Sequence, residues 1–393
     1  MNRLGVCGLL LFVCLARSAA ALGPQRPWVQ PHDAHQAESN SDEYAWHLFV
    51  ALNWPADLRR RTADRGARFG ADRPVIWETW ESTAHVYRES GRDPGRWASR
   101  DPLLKIADND RFETPSLTSL PNARHIVAGK MVPLVDPIAA AKRLIEIRMN
   151  RTAYEYIRAR QLYTVDGQLR ALADGSGVHF PFGSTEVKAK WRPLSAAERS
   201  RYHTVEVRLA DGSTRLYGLT ALHLVSKDLP QWFWATFEQI DNASLADGEG
   251  WQLPSRDRFA CRGLRPDCNR APRGIGLEGT VWSYYRLRGT LTRFVDGAGR
   301  PQRLANSELE AGFQKSSSCI TCHSRSSIGV IAGAPARLPV FDAAGDAQHD
   351  APEVRGYVGK PDEAWFRDAS GRPLFLQLDF VWSLSKAQAR KGS

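Results

Sequence analysis

Long apolar runs are missing from most of this chain of 393 residues. After its first two dozen positions, no stretch approaches the roughly 20 apolar residues that a helix needs to cross a bilayer. There is also no collagen period, no sustained heptad and no long block of one charge, which excludes fibrous and coiled-coil classes. Lys and Arg total 53 against 43 Asp and Glu, but the two signs alternate along the chain and leave no nucleic-acid signature. Methionine and cysteine are scarce, at 3 and 6 residues. What is present is 42% hydrophobic residues and 13 tryptophans, enough apolar and aromatic surface for a packed globular core.

The one apolar run lies at the start. Residues 1–21 combine Arg3, the stretch Leu4 to Leu15 and small residues at Ala19 and Ala21, the pattern of a cleaved secretory signal peptide. The expectation is an exported, periplasmic protein with no transmembrane segment. Loss of Arg3 and Arg17 with the leader lowers the net charge from +10 to about +8. Cys7 and Cys14 leave as well, so the mature chain holds two cysteine pairs. Cys261 and Cys268 sit in a polar loop, and an oxidising compartment is expected to close them into a disulfide worth about 2–3 kcal/mol.

The second pair reads differently. Cys319-Ile320-Thr321-Cys322-His323 has the spacing of covalent c-type haem attachment. Two thiols three positions apart on a helical turn can add to the two vinyl groups of one haem, and His323 then lies under the iron as proximal ligand. A thioredoxin-like redox pair would need a βαβ setting, which is not evident around 319–322. A zinc site would need four ligands, and Cys261 and Cys268 have the wrong spacing for a ribbon. A plain Cys319–Cys322 disulfide is the third competing reading.

A small soluble cytochrome c places the motif near its start and a methionine ligand after it. Here the motif comes late and no methionine follows His323. The small-cytochrome fold is therefore not expected, and a sixth iron ligand must come from elsewhere. Met131, Met149 and His223 are the candidates, with His125 and His179 behind them. His223 is placed on a strand face shared with Tyr217, Leu219, Ala221 and Val225, where a core histidine satisfied by a carboxylate competes with distal ligation. Met149 is placed on an amphipathic helix, where core packing competes with ligation. Glu238 is the companion candidate to His223 for proton donation or acceptance. Arg325 is a candidate for a haem propionate, against a solvated arginine. Trp46, Trp54, Trp77, Trp80, Trp191, Trp232, Trp234 and Trp282 are read as core aromatics, against one of them stacking on the haem or relaying electrons.

The pattern along the chain predicts an α+β fold with a mixed, largely antiparallel sheet and a helical segment, about 305–330, carrying the haem motif. A loose arm spans 22–40, and residues 41–393 form a single unit. Ser41 is read as capping a first helix that ends before Pro55. Asp136-Pro137 is read as opening a helix that runs through Ile145, Met149 and Ile157. Hairpins are expected around Asp166-Gly167 and Asp211-Gly212, with Leu216 to Val225 as a central strand. WFWATFEQI is another strand, and Ser307 with Glu310 is read as a capping box.

Several blocks together resemble a known group. GSTEVKAKWRPL (183–194), YGLTALHLVSKDLPQWFWATFEQIDN (217–242) and SSSCITCH (316–323), with IEIRMNRTAYEYI (145–157) and DFVWSL (379–384), resemble large bacterial single-haem periplasmic proteins of the cytochrome c family. The resemblance implies one covalent haem c and brings no established reaction, so only Cys319, Cys322 and His323 carry over. Two functions stand on these residues. One is single-electron transfer to or from a periplasmic redox protein or small molecule. The other is a haem oxidoreductase whose open distal side acts on peroxide, oxygen or a small substrate.

Overall fold

The computed structural model describes residues 26–88, 91–98, 124–127, 130–133, 144–208, 212–243, 254–261, 268–310, 313–338, 358–368 and 370–390. The leader at 1–21 lies outside them. The described part is α+β, built on a seven-stranded sheet in which every pairing is antiparallel. Its strands are β1 (Glu81–Ser82), β2 (Ile145–Met149), β3 (Thr185–Pro193), β4 (Thr204–Arg208), β5 (Thr214–Ser226), β6 (Phe233–Gln239) and β7 (Tyr285–Leu291). Across the sheet they run β7-β6-β5-β3-β2-β1, with β4 paired to the first part of β5. A small sheet, β9-β8-β10, joins β8 (Ser327–Ile331), β9 (Ala334–Ala336) and β10 (Phe375–Gln377).

As expected for a central strand, β5 is flanked on both sides and is apolar along most of its length. The β4–β5 hairpin forms in the expected place, with Arg208 opposite Thr214. One face of the sheet is covered by α2 (Ser41–Leu52), which follows α1 (Ala34–Ser39). Trp46 and Phe49 of α2 meet Phe237 of β6, and Phe49 also meets Trp282 edge to face. These aromatic contacts are worth about 0.5–1.5 kcal/mol each beyond the area they bury. Trp77 and Trp191 are fully buried in the same core, as expected, and Trp80 nearly so.

Five expectations need correcting. The stretch 22–40 is not loose where it is described. Asp33 accepts a hydrogen bond from the Gln36 amide and caps α1, and Tyr44 donates to the Pro31 carbonyl. The first long helix has Asn40 at its N-cap position, with no side-chain cap, and Ser41 already inside it. Residues 145–149 are strand, and only from Arg151 does α3 (Arg151–Ala159) begin. Asn150 makes the switch, because its side chain accepts the Ala153 amide and caps the helix. The three- and four-residue intervals therefore span a strand with period two and a helix. The start of that reading, Asp136-Pro137, lies outside the described residues.

Asp166-Gly167 is not a hairpin but the first turn of α4 (Val165–Ala173). Thr164 caps it through the Gly167 amide, and Gly167 is needed there because a Cβ would sit 2.0 Å from the Gln161 carbonyl oxygen. Ser307 and Glu310 form no helix. Asn306 is the residue that caps, accepting from Glu308, while Glu310 accepts from the Asn306 amide across a turn that does not propagate. Among the described residues the helical part of the motif segment is thus short, a 3-10 turn at Gln314–Ser316 and α5 (Cys319–Ser324).

Candidate functional site

The site lies on the face of the sheet opposite α2, and its position depends on one irregularity. Between β3 and β5 the register shifts, so that Lys190 pairs with Ala221 and Trp191 with Leu219, leaving Thr220 without an opposite number. A bulge of this kind reverses the side-chain alternation. Tyr217 and Leu219 consequently join Leu222 and Leu224 in the aromatic core, while Ala221, His223 and Val225 face the other way. The expected face of His223 is corrected accordingly: it shares that face with Ala221 and Val225 but not with Tyr217 or Leu219.

That second face is polar. Across it, His223 is paired in register with Lys188 on one side and Thr236 on the other. Glu238 lies at the next outward position of β6 and is fully buried. It binds Arg286 and Arg288 and accepts from the Ser307 amide and hydroxyl. A proton-handling role for Glu238 has no opening here, because its oxygens are committed to this closed network. Asn306 donates to Thr236 and to the Phe237 carbonyl. Lys190 pairs with Glu308, and Leu309 packs on Ile145 and Ala221. Residues 306–310 are thereby clamped across the strands immediately before the motif.

His223 meets the carboxylate expected of a core histidine. Its Nε2 is 3.0 Å from Glu310 Oε1, with both side chains almost fully buried. Burial pushes the Glu310 carboxyl up, but His223, Lys188 and the Asn306 amide outweigh it and hold the group below the usual range. Met149 is fully buried at the end of β2, in the cluster that also contains Cys319 and Trp234. Met131 and His125 lie on a two-stranded ribbon, Arg124–Val127 with Lys130–Pro133, whose side chains are outside the described residues. His179 is exposed, and its backbone amide donates to Tyr156.

On α5, Cys319, Cys322 and His323 share one and a half turns. Neither thiol is in a disulfide, and burial pushes Cys322 up to about 12 and Cys319 also upward. A thioredoxin-like pair works through a depressed thiol pKa, so these thiols have the opposite tuning. Among the described residues no group of three or more His, Cys, Asp or Glu could hold a metal ion. Cys261 and Cys268 are brought to disulfide distance, with Cα atoms 5.7 Å apart, which removes them as partners for a zinc site.

His323 is the most strongly prepared group. Its Nδ1 donates to the Phe380 carbonyl at 2.8 Å, its ring lies 4.4 Å from that of Trp234, and no described residue hydrogen-bonds Nε2. Desolvation pushes its pKa down to about 3, so the imidazole is neutral with its lone pair on Nε2. A carbonyl on Nδ1 is the outer contact that orients an iron-ligating histidine. The carbonyl is delivered by a strained turn: Asp379 and Phe380 have φ of 47° and 68°, a region costing non-glycine residues roughly 1–3 kcal/mol each. Lys227 holds Asp379 Oδ1 at 2.6 Å, and the Phe180 amide donates to Oδ2. The Trp382 indole N–H donates to the Cys322 carbonyl.

Reduced thiols on one turn and a neutral, oriented imidazole fit covalent haem. Arg325 is neither solvated nor free to swing outward. It is buried, with its guanidinium 4.1 Å above the Trp365 ring. Phe380, Asp379, Lys227 and Glu310 were not legible as site residues, and Trp234 only as one of eight tryptophans that could meet the haem. The only hints were that Asp379 and Phe380 fall in the distinct DFVWSL block and Lys227 and Trp234 in the block 217–242.

No family model, curated protein or solved structure matches the chain. Among the described residues no helix is long and apolar enough to cross a membrane.

Proposed function

We propose that this is an exported c-type protein of the periplasm that carries one haem on Cys319 and Cys322, with His323 as proximal ligand, and exchanges single electrons with a redox protein or small molecule. The observation that carries the reading is the His323 imidazole, oriented through Nδ1 by the Phe380 carbonyl so that Nε2 keeps the lone pair. Haem, when bound, supplies an iron that changes oxidation state by one electron. The chain's own part is to fix the imidazole tautomer, exclude water with Trp234 and Phe380, and hold the motif segment on the sheet through residues 306–310.

The second reading, a haem oxidoreductase with an open distal side, draws on the buried His223–Glu310 pair. That pair exerts a field at His323 and could hold a proton near the motif. In either case His223 could supply a sixth ligand through Nε2 only by giving up Glu310.

Two measurements test this. Replacing Cys319→Ala and Cys322→Ala together should abolish covalent haem in the exported protein, read as the alkaline pyridine spectrum, and haem that stays attached refutes the assignment. Spectra of the wild-type protein with and without carbon monoxide separate the two readings. Electron transfer predicts a low-spin ferrous form indifferent to carbon monoxide, whereas rapid uptake supports the open distal side.

A further inference from the structure

On the α2 side of the sheet, away from the motif, lies a cavity of about 350 Å³. Its wall includes His203, Trp282, Tyr202, Val281, Ser200 and Thr204, with Gly70 to Asp72 at the rim. The imidazole of His203 is built in with unusual care. Its backbone is fixed on both sides, the amide donating to the Tyr285 hydroxyl and the carbonyl accepting from Leu219. The ring stacks on Trp282 at 4.7 Å and leans on Trp191 at 5.9 Å. Behind it, Nε2 is 3.3 Å from Oε2 of Glu78, which is 1% exposed; the atoms are within ion-pair reach but not aligned for a hydrogen bond. Glu78 is held in turn by the Val75 amide.

His203 lines the cavity with its ring held between Trp282 and Trp191, and Glu78 lies on the Nε2 side, which leaves Nδ1 as the nitrogen for a ligand. The cavity's shape is equally specified. Gly70 has φ of +80°, and a Cβ there would meet the Thr280 side chain at 2.4 Å, so the rim can close against the turn carrying Trp282 only with glycine.

The lining selects the ligand class. A cavity of this volume is at the small end of the roughly 300–1,000 Å³ typical of ligand sites. Indole, phenol ring and valine provide apolar walls, which suits a flat ring. The charges at the mouth neutralise one another, since Arg199 pairs with Asp72 and Glu206. A strongly charged ligand therefore finds no counter-ion, whereas a hydroxyl finds the His203 imidazole and the hydroxyls of Ser200 and Thr204.

We propose that this cavity is a binding site, separate from the haem motif, for a small neutral hydroxylated aromatic of the phenol or hydroquinone class, hydrogen-bonded to His203 and lying against Trp282. The proposal is independent of the haem reading, because no residue of the motif takes part.

The test is titration of the full exported protein with phenol, hydroquinone and toluene, followed by tryptophan fluorescence and by calorimetry. Phenol and hydroquinone should bind saturably and toluene at least tenfold more weakly. His203→Phe keeps a ring between the two indoles but removes the hydrogen bond, so it should weaken phenol at least tenfold and leave toluene unchanged. Ser200→Trp, on the exposed rim, should fill the cavity and abolish binding of all three without touching His203. It serves as the independent check should His203→Phe fold poorly. Absence of saturable phenol binding to the wild type, or phenol affinity unaltered in Ser200→Trp, overturns the proposal.

Discussion

On the α2 side of the central sheet, β5 and β6 present Leu222, Leu224, Phe233 and Phe237 to an aromatic core. On the other side the same two strands present His223, Thr236 and Glu238 to the segment that carries Cys319, Cys322 and His323. The first face is satisfied by area and shape, so its stability is spread over many contacts. The second is a chain of buried hydrogen bonds and ion pairs, in which each group depends on its neighbour being present. One sheet thus separates a stabilising face from a positioning face.

The sharpest way to break the comparison uses adjacent residues pointing in opposite directions. Phe237→Ala should cost about 3–5 kcal/mol through the cavity it leaves, measured by urea unfolding, with haem attachment and spectrum unchanged in the folded protein. Glu238→Ala should cost a similar amount, about 3–5 kcal/mol, because Arg286 and Arg288 lose their buried carboxylate. It should also lower the yield of haem-bearing protein, since Ser307 loses its anchor. Equal haem yields in the two variants would erase the division of labour.

A smaller effect comes from one of the buried charges on the α2 side. Asp257 accepts from the Trp46 indole, and burial raises its pKa from 3.8 to about 6. A carboxyl whose folded pKa is raised contributes stability that is complete below about pH 4 and lost as pH rises through about 6. Relative to Asp257→Asn, the wild type should therefore lose at most about 3 kcal/mol between these limits. Chemical unfolding of both proteins at several pH values checks this, and parallel pH curves would refute it.

The smallest effect concerns the positioning face at its farthest reach. Asp379→Ala releases the turn that Lys227 holds and loosens the Phe380 carbonyl on His323. On the proposed haem reading, covalent haem should remain, while the midpoint potential rises by about 60 mV, equivalent to about 1.4 kcal/mol for one electron. A potential identical to wild type would mean that the strained turn serves the fold alone.

Local pattern was readable wherever it was unmixed. The run from Leu216 to Val225, the Asp211-Gly212 hairpin, the strand at WFWATFEQI and the pairing of Cys261 with Cys268 all lie where the residues suggested. Reading failed where two periods met at Asn150, and where Thr164 turned an Asp-Gly step into a helix start. It failed for the face of His223 because one extra residue, Thr220, reverses alternation, and nothing in a strand's composition announces a bulge.

The sequence by itself determined the spacing of two thiols and an imidazole, because a five-residue motif needs only its own helical turn. It also determined which stretches alternate and which cysteines are close enough to pair. Only tertiary structure decided what surrounds the motif. Glu310 reaches His223 across 87 positions, Phe380 reaches His323 across 57 and Lys227 reaches Asp379 across 152. Such contacts are set by how strands register and chain segments cross, and they leave no periodicity in the residues that make them.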